Sequence, residues 1–198
     1  RDRLSWMRFL GFELGAPTPD ENTIRHFRNR LTETGTLKRV MKAFDWQLRK
    51  KGYVPMAGQI VDASLVPAPK QRNTDVEKAA IKDGKSAKEI WPDEPNKAAQ
   101  KDTNARWTLK VGGKGRHRPD GTPLPMIATP VFGYKSHISI DRRFGFIREA
   151  AVTSASAPDG RQLKRLVSRK NTGSEVWADS AYRSQKNEKW LAERMLTS

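Results

Sequence analysis

The run Gln59-Ile60-Val61-Asp62-Ala63-Ser64-Leu65-Val66 decides how the rest of the chain is read. It is short and apolar, and it is closed by Pro67 and Pro69, which predicts a β-strand. Asp62 is out of place in such a strand, because an ionised carboxylate is costly to bury without a partner. A metal ion, a basic partner or access to water must compensate. A second carboxylate stands in a similar position. Glu175-Val176-Trp177-Ala178-Asp179 reads as another short strand, with Asp179 at its end before a turn and a helix. Open α/β sheets place their chemistry at strand ends, and two hard oxygen ligands on neighbouring strands can bind magnesium or manganese. Spacing alone fits a plain turn or cap aspartate at each position at least as well.

Further along the chain, strand patterning appears at Val131. Phe132, Tyr134, Ile138 and Ile140 share one side, and Lys135, His137 and Ser139 share the other. Asp141 to Gly145 makes a turn, and Phe146 to Val152 is the returning strand. A helix is predicted from Pro158 with Leu163, Leu166 and Val167 inward, and a last one from about Ser184 to Leu196 with Trp190, Leu191 and Met195 as packing residues. The polar, Lys-, Gly- and Pro-rich stretch 70–125 reads as a long insertion outside the core, with one helix near 74–82. The order is strand, insertion, hairpin, helix, strand, helix, which predicts an α/β core with an antiparallel element.

On the N-terminal side the pattern is helical. Leu4, Met7 and Leu10 repeat at helical spacing, and Asp20 is placed to cap a helix carrying Ile24, Phe27 and Leu31. After Thr34-Gly35-Thr36, a stripe of Leu37, Val40, Met41, Phe44 and Leu48 runs to Gly52. A helical domain over 1–55 and a catalytic domain over 56–198, interrupted by an insertion at about 67–128, are therefore expected.

The net charge is +16, and it is spread over the body rather than held in a tail, with +6 in residues 1–56, +4 in 57–130 and +6 in 131–198. That distribution suits a protein tracking a polyanion over a wide surface. Double-stranded DNA is the expected partner; a basic RNA-binding or ribosome-associated protein would explain the charge but not two strand-borne aspartates. The absence of cysteine excludes disulfides and thiol catalysis, and His26, His117 and His137 stand too far apart in sequence to read as a metal-ligand pair. No apolar run reaches membrane-spanning length and no signal peptide opens the chain, so no membrane partner and a cytoplasmic, nucleoid-associated location are expected. Gly112-Gly113-Lys114-Gly115-Arg116 lacks the Lys-Ser/Thr ending of a phosphate loop and reads as a flexible basic loop.

Several segments carry a family resemblance. Gly58 to Ser64 resembles the first catalytic strand of DDE transposases of the insertion-sequence-five group, and Lys101-Asp102-Thr103-Asn104-Ala105-Arg106-Trp107-Thr108 looks like their Asp-Ala-Arg-Trp segment. Phe132 to His137 looks like their Gly-Tyr-Lys-x-His strand, Trp177 to Ser184 resembles the second catalytic aspartate with its Ala-Tyr-Arg-Ser tail, and Phe27 to Leu31 resembles their N-terminal helical region. The pieces arrive in the family's order. The resemblance implies a ribonuclease-H-like catalytic core, incomplete here, behind a small all-helical domain. It implies Asp62 and Asp179 as the first two catalytic, metal-binding carboxylates of a two-metal Mg2+ or Mn2+ site. It further implies strand cleavage and transfer at element ends by a homodimer or higher assembly on DNA. Candidate DNA contacts are Arg25, Arg28, Arg30, Lys114, Arg116, Arg118, Lys135, His137 and Arg183. The family's third acid is a glutamate in a Tyr-x2-Arg-x3-Glu pattern; Gln185 occupies the arginine position counted from Tyr182, so that glutamate is expected beyond Ser198. Glu188 and Glu193 read as exposed helix charges, and Asn104 stands where the family often has an aspartate. The opening on Arg1 adds the expectation of a chain cut at both ends. The alternative is a remnant that binds element ends and represses transposition without chemistry.

Overall fold

A computed structural model describes residues 4–112 and 117–198. They belong to two compact units, Arg1–Tyr53 and Val54–Ser198.

The first unit contains three helices, α1 (Leu4–Leu10), α2 (Glu21–Glu33) and α3 (Thr36–Lys50). Asp20 caps α2, its Oδ1 accepting the Thr23 amide at 2.7 Å. Gly35, at φ +65°, turns the chain from α2 into α3 in a backbone region that suits glycine. The predicted apolar stripes form helices without forming a core. Neither α2 nor α3 has a buried residue, and Ile24, Phe27, Val40, Met41 and Phe44 all lie exposed.

The second unit is built on a mixed sheet. Its centre is β1 (Gln59–Pro67), antiparallel to β3 (Ile127–Asp141) on one edge and parallel to β5 (Val176–Ala178) on the other. The first half of β3 pairs with β2 (Arg106–Gly112), and its second half also pairs with β4 (Ile147–Ser154), both antiparallel. One face is covered by α7 (Leu163–Leu166), by the short 3-10 turn Ser180–Tyr182 and by α8 (Gln185–Ala192). There Val61, Ala151, Leu163, Leu166, Val176, Tyr182 and Leu191 form the core. In the C-terminal helix Leu191 packs inward as expected and Trp190 lies against the core, whereas Met195 falls past the helix end and is exposed.

The inward positions of β3 are the polar ones. His137, Ser139 and Asp141 are fully buried, while Ile138 and Ile140 are half-buried on the opposite face. Buried polar groups need partners, and Asp141 has several: the amides of Phe144 and Phe146 and the Arg148 guanidinium, at 2.9 Å. Gln59, at the start of β1, exchanges two hydrogen bonds with the backbone of Ser168, one in each direction at 2.9 Å, and so ties the strand to the segment after α7.

Gly133 sits where β1, β2 and β3 meet, at φ +154°. A Cβ there would run into the carbonyl oxygen of Val66 and the backbone of Pro67 and Ala68. Gly133→Ala is expected to destabilise the second unit by at least about 2 kcal/mol, measured as a lowered urea midpoint at unchanged slope.

The insertion needs correction. Its described residues hold more than the one helix expected near 74–82: α4 (Asp75–Lys82) is joined by α5 (Ala87–Ile90) and α6 (Pro95–Gln100) before β2, and β3 begins at Ile127, inside the expected bounds. Two capping boxes start its helices, Thr74 with Glu77 and Ser86 with Glu89. Glu77 also binds the buried Trp91, whose Nε1 donates to it at 2.7 Å, and Lys97. Led by the Trp91 hydrogen bond, these contacts pull the Glu77 carboxyl down to about 2. The helix expected near 74–82 is α4, whereas α5 and α6 were hidden in the sequence because capping and one tryptophan, rather than an apolar stripe, hold them.

Candidate active site

Alternation along β1 sends Val61 into the core and Asp62 to the opposite, open face. The parallel register pairs Gln59 with Val176, Ile60 with Trp177 and Val61 with Ala178. The next position on each chain is Asp62 and Asp179, and Asp179 keeps an extended backbone (φ −60°, ψ 154°). Adjacent strands run about 4.8 Å apart, so the two carboxylates emerge side by side. Asp62 Oδ1 accepts the amide of Ala63 at 2.7 Å. Asp179 caps the following 3-10 turn, its Oδ1 accepting the Ala181 amide at 2.9 Å and the Ser180 hydroxyl at 3.0 Å. Those hydrogen bonds, the Ala181 amide first, hold the Asp179 carboxyl below its usual range, so it is ionised at neutral pH. Both aspartates are exposed, and this resolves the conflict posed by a carboxylate in an apolar strand: water reaches it.

Beneath the pair lies a polar support that sequence reading missed. Burial, together with the carboxylates of Asp159, Asp62 and Asp179, pushes the Tyr182 phenol up to about 12, so it keeps its proton. Its hydroxyl lies 3.4 Å from His137 Nδ1, and His137 Nε2 lies 2.9 Å from the Thr153 hydroxyl. Burial lowers the His137 pKa, leaving the imidazole neutral. The Gly-Tyr-Lys-x-His and Ala-Tyr-Arg-Ser segments thus meet in the core behind the aspartates. Their separate positions in the sequence carried no sign of that contact.

Two of the candidate DNA contacts are engaged within the fold. His137 is wholly enclosed, and the Lys135 ammonium is spent on Asp159 at 2.9 Å and the Ala157 carbonyl at 3.0 Å. Both serve the fold. Arg25, Arg28 and Arg30 are exposed on α2, and Arg118 is exposed in its turn. Arg183 is exposed but pairs with Glu188 at 2.7 Å. Lys114 and Arg116 lie outside the described residues. Arg142, which had not been singled out, stacks on Trp177 at 5.1 Å, a β5 residue two positions before Asp179.

Two carboxylates with open surroundings fit magnesium, which keeps several waters and takes one or two protein carboxylates. Among the described residues no group of three acids or histidines gathers in one place. A cleft of about 400 Å³ opens beside Asp179, lined also by Trp177, Tyr182, Arg183 and Glu188.

The family described as the transposase DDE domain matches residues 55–197, and a second, described as transposase domain DUF772, matches residues 1–30. This chain belongs to the transposase DDE domain family. No solved structure matches it. A DDE transposase domain is ribonuclease-H-like in general, and the mixed sheet with helices on one face agrees with that class. DNA is accordingly the substrate of this transposase. No helix among the described residues is long and apolar enough to cross a membrane.

Proposed function

We propose that this transposase, of the insertion-sequence-five type, performs metal-dependent strand cleavage and transfer at the ends of an insertion element, with Asp62 and Asp179 as two of its catalytic carboxylates. The observation that carries the reading is the register of β1 and β5, which leads to two exposed aspartates on adjacent strands. Asp62 and Asp179 would hold Mg2+ or Mn2+. When bound, such ions supply positive charge that eases loss of a proton from an attacking water or DNA 3′-hydroxyl and offsets charge on the leaving oxygen. The protein's part is positioning. Strand pairing sets the spacing of the two carboxylates, the cap hydrogen bonds keep Asp179 ionised, and the Tyr182–His137–Thr153 chain holds the turn that carries Asp179. Arg25, Arg28 and Arg30 on α2 give the N-terminal unit a DNA-binding role, and joining two ends calls for a homodimer.

A second reading is a DNA-binding repressor of transposition without chemistry: among the described residues no three acids or histidines gather as a metal site. The test applies residues 1–198 to an element-end duplex with Mg2+. Binding is expected to weaken steeply with salt, by about a thousandfold from 50 to 200 mM if on the order of six phosphates are neutralised, and no nicking is expected. Preference for structured RNA over duplex at matched salt would overturn the transposase reading. Efficient nicking would sink the requirement for a further acid.

A further inference from the structure

We propose that Arg142 holds a backbone phosphate of the DNA strand close to the one served by the aspartates, at the head of a track continued by Arg143, Arg169 and Lys170. The proposal rests on the DNA-substrate reading above and adds where on the second unit the strand runs.

The track is built on one short stretch of backbone. The Gly58 carbonyl, just ahead of β1, accepts the Arg142 amide at 3.0 Å and Asn171 Nδ2 at 2.6 Å, and the Gly58 amide donates to Asn171 Oδ1 at 3.0 Å. Nearby, the Met56 carbonyl accepts the Arg143 amide at 3.3 Å and the Pro55 carbonyl accepts the Thr172 amide at 3.0 Å. The paired bonds between Gln59 and Ser168 complete the clamp. Two segments distant in sequence, the β3–β4 turn and residues 168–172, are thereby fixed to the same stretch, 55–59. Their basic pairs, Arg142-Arg143 and Arg169-Lys170, are all exposed.

These cations are not neutralised by the fold. Lys135, Arg148 and Arg183 each pair with a carboxylate. Among the described residues no carboxylate pairs with Arg142, Arg143, Arg169 or Lys170. Glu175 lies against Gly58 but forms no ion pair with them, and the run 160–174 holds no acid at all. A rigid edge that keeps its positive charge open suits a polyanion better than an internal partner.

Arg142 is directed to the face that carries the aspartates. Its guanidinium lies 5.1 Å over the Trp177 ring. Trp177 and Asp179 are two positions apart and so share the open face, about 7 Å from each other along the chain. A guanidinium stacked on a ring keeps its in-plane N–H donors for a bidentate grip on phosphate. It stands on the order of 10 Å from Asp179, or about three base steps of duplex rise.

The test titrates residues 1–198 with an element-end duplex by fluorescence anisotropy across a range of salt. The titration is repeated with duplexes in which one phosphate at a time is an uncharged methylphosphonate. The slope of log K against log salt is expected to become shallower by about 1 in Arg142→Gln and about 2 in Arg169→Gln/Lys170→Gln, with affinity at about 0.1 M salt about tenfold lower in the first. Arg142→Lys, which keeps the charge, is expected to keep the slope. In the parent, a methylphosphonate within about three nucleotides of the element end is expected to weaken binding about tenfold, and in Arg142→Gln to cost nothing further. Arg165→Gln/Lys189→Gln removes two exposed cations from α7 and α8, on the covered face, and is expected to leave the slope unchanged. A slope unchanged in both track variants, an equal loss in the α7–α8 variant, or a methylphosphonate penalty that survives Arg142→Gln overturns the track while leaving the transposase reading intact. Failure of the parent to bind any duplex overturns that reading as well.

Discussion

Asp62→Asn is expected to cut strand transfer of an element-end duplex, by a transposase carrying its complete set of carboxylates, by at least about a thousandfold, a loss of roughly 4 kcal/mol of transition-state stabilisation. The same holds for Asp179→Asn. Asparagine keeps the size and one oxygen but removes the negative charge that a divalent cation requires. Neither side chain is buried, so folding should be undisturbed and DNA affinity should stay within about twofold, since removing an anion costs no phosphate contact. In residues 1–198 alone, each variant is expected to weaken Mn2+ binding, read by electron paramagnetic resonance. Loss of DNA binding in step with strand transfer would mark the aspartates as structural, and Mn2+ binding unchanged in both variants would remove them from the metal site.

The largest effect on stability is expected at Asp141. Asp141→Asn removes one charge of a pair whose other member, Arg148, is only 5% exposed in its side chain. Breaking a buried ion pair from one side costs about 3–5 kcal/mol. Three hydrogen bonds converge on this carboxylate at the β3–β4 turn, so the hairpin loses its anchor too. Urea unfolding followed by far-ultraviolet circular dichroism would measure the loss. The double variant Asp141→Asn/Arg148→Met is expected to lose less than the sum of the two single variants, because residues in direct contact couple. A single variant within about 1 kcal/mol of the parent would show the pair to be dispensable.

What was readable along the chain depended on how local its cause is. The run Gln59–Val66 emerged as a strand, and Asp20 capped its helix, because a few neighbouring residues decide each. Of the insertion's helices only the one near 74–82 was visible: Trp91 reaches back fourteen positions to Glu77, and no apolar period announces such a contact. The face of β3 was harder still. Hydropathy points Ile138 and Ile140 inward, yet the buried side carries His137, Ser139 and Asp141, and partners from β4, the β3–β4 turn and the Tyr182 turn satisfy the polar atoms of His137 and Asp141.

By itself the sequence determined the elements, the transposase resemblance and the anomaly of two aspartates in strands, all of which follow from short-range chemistry and residue order. Only the tertiary structure decided that Asp62 and Asp179 continue the register of adjacent parallel strands, that His137 is buried and Lys135 pairs with Asp159, and that Trp107 lines a pocket beside α4. Each of these depends on pairing between segments tens of residues apart, and the pairing is set by which face of the sheet the helices cover.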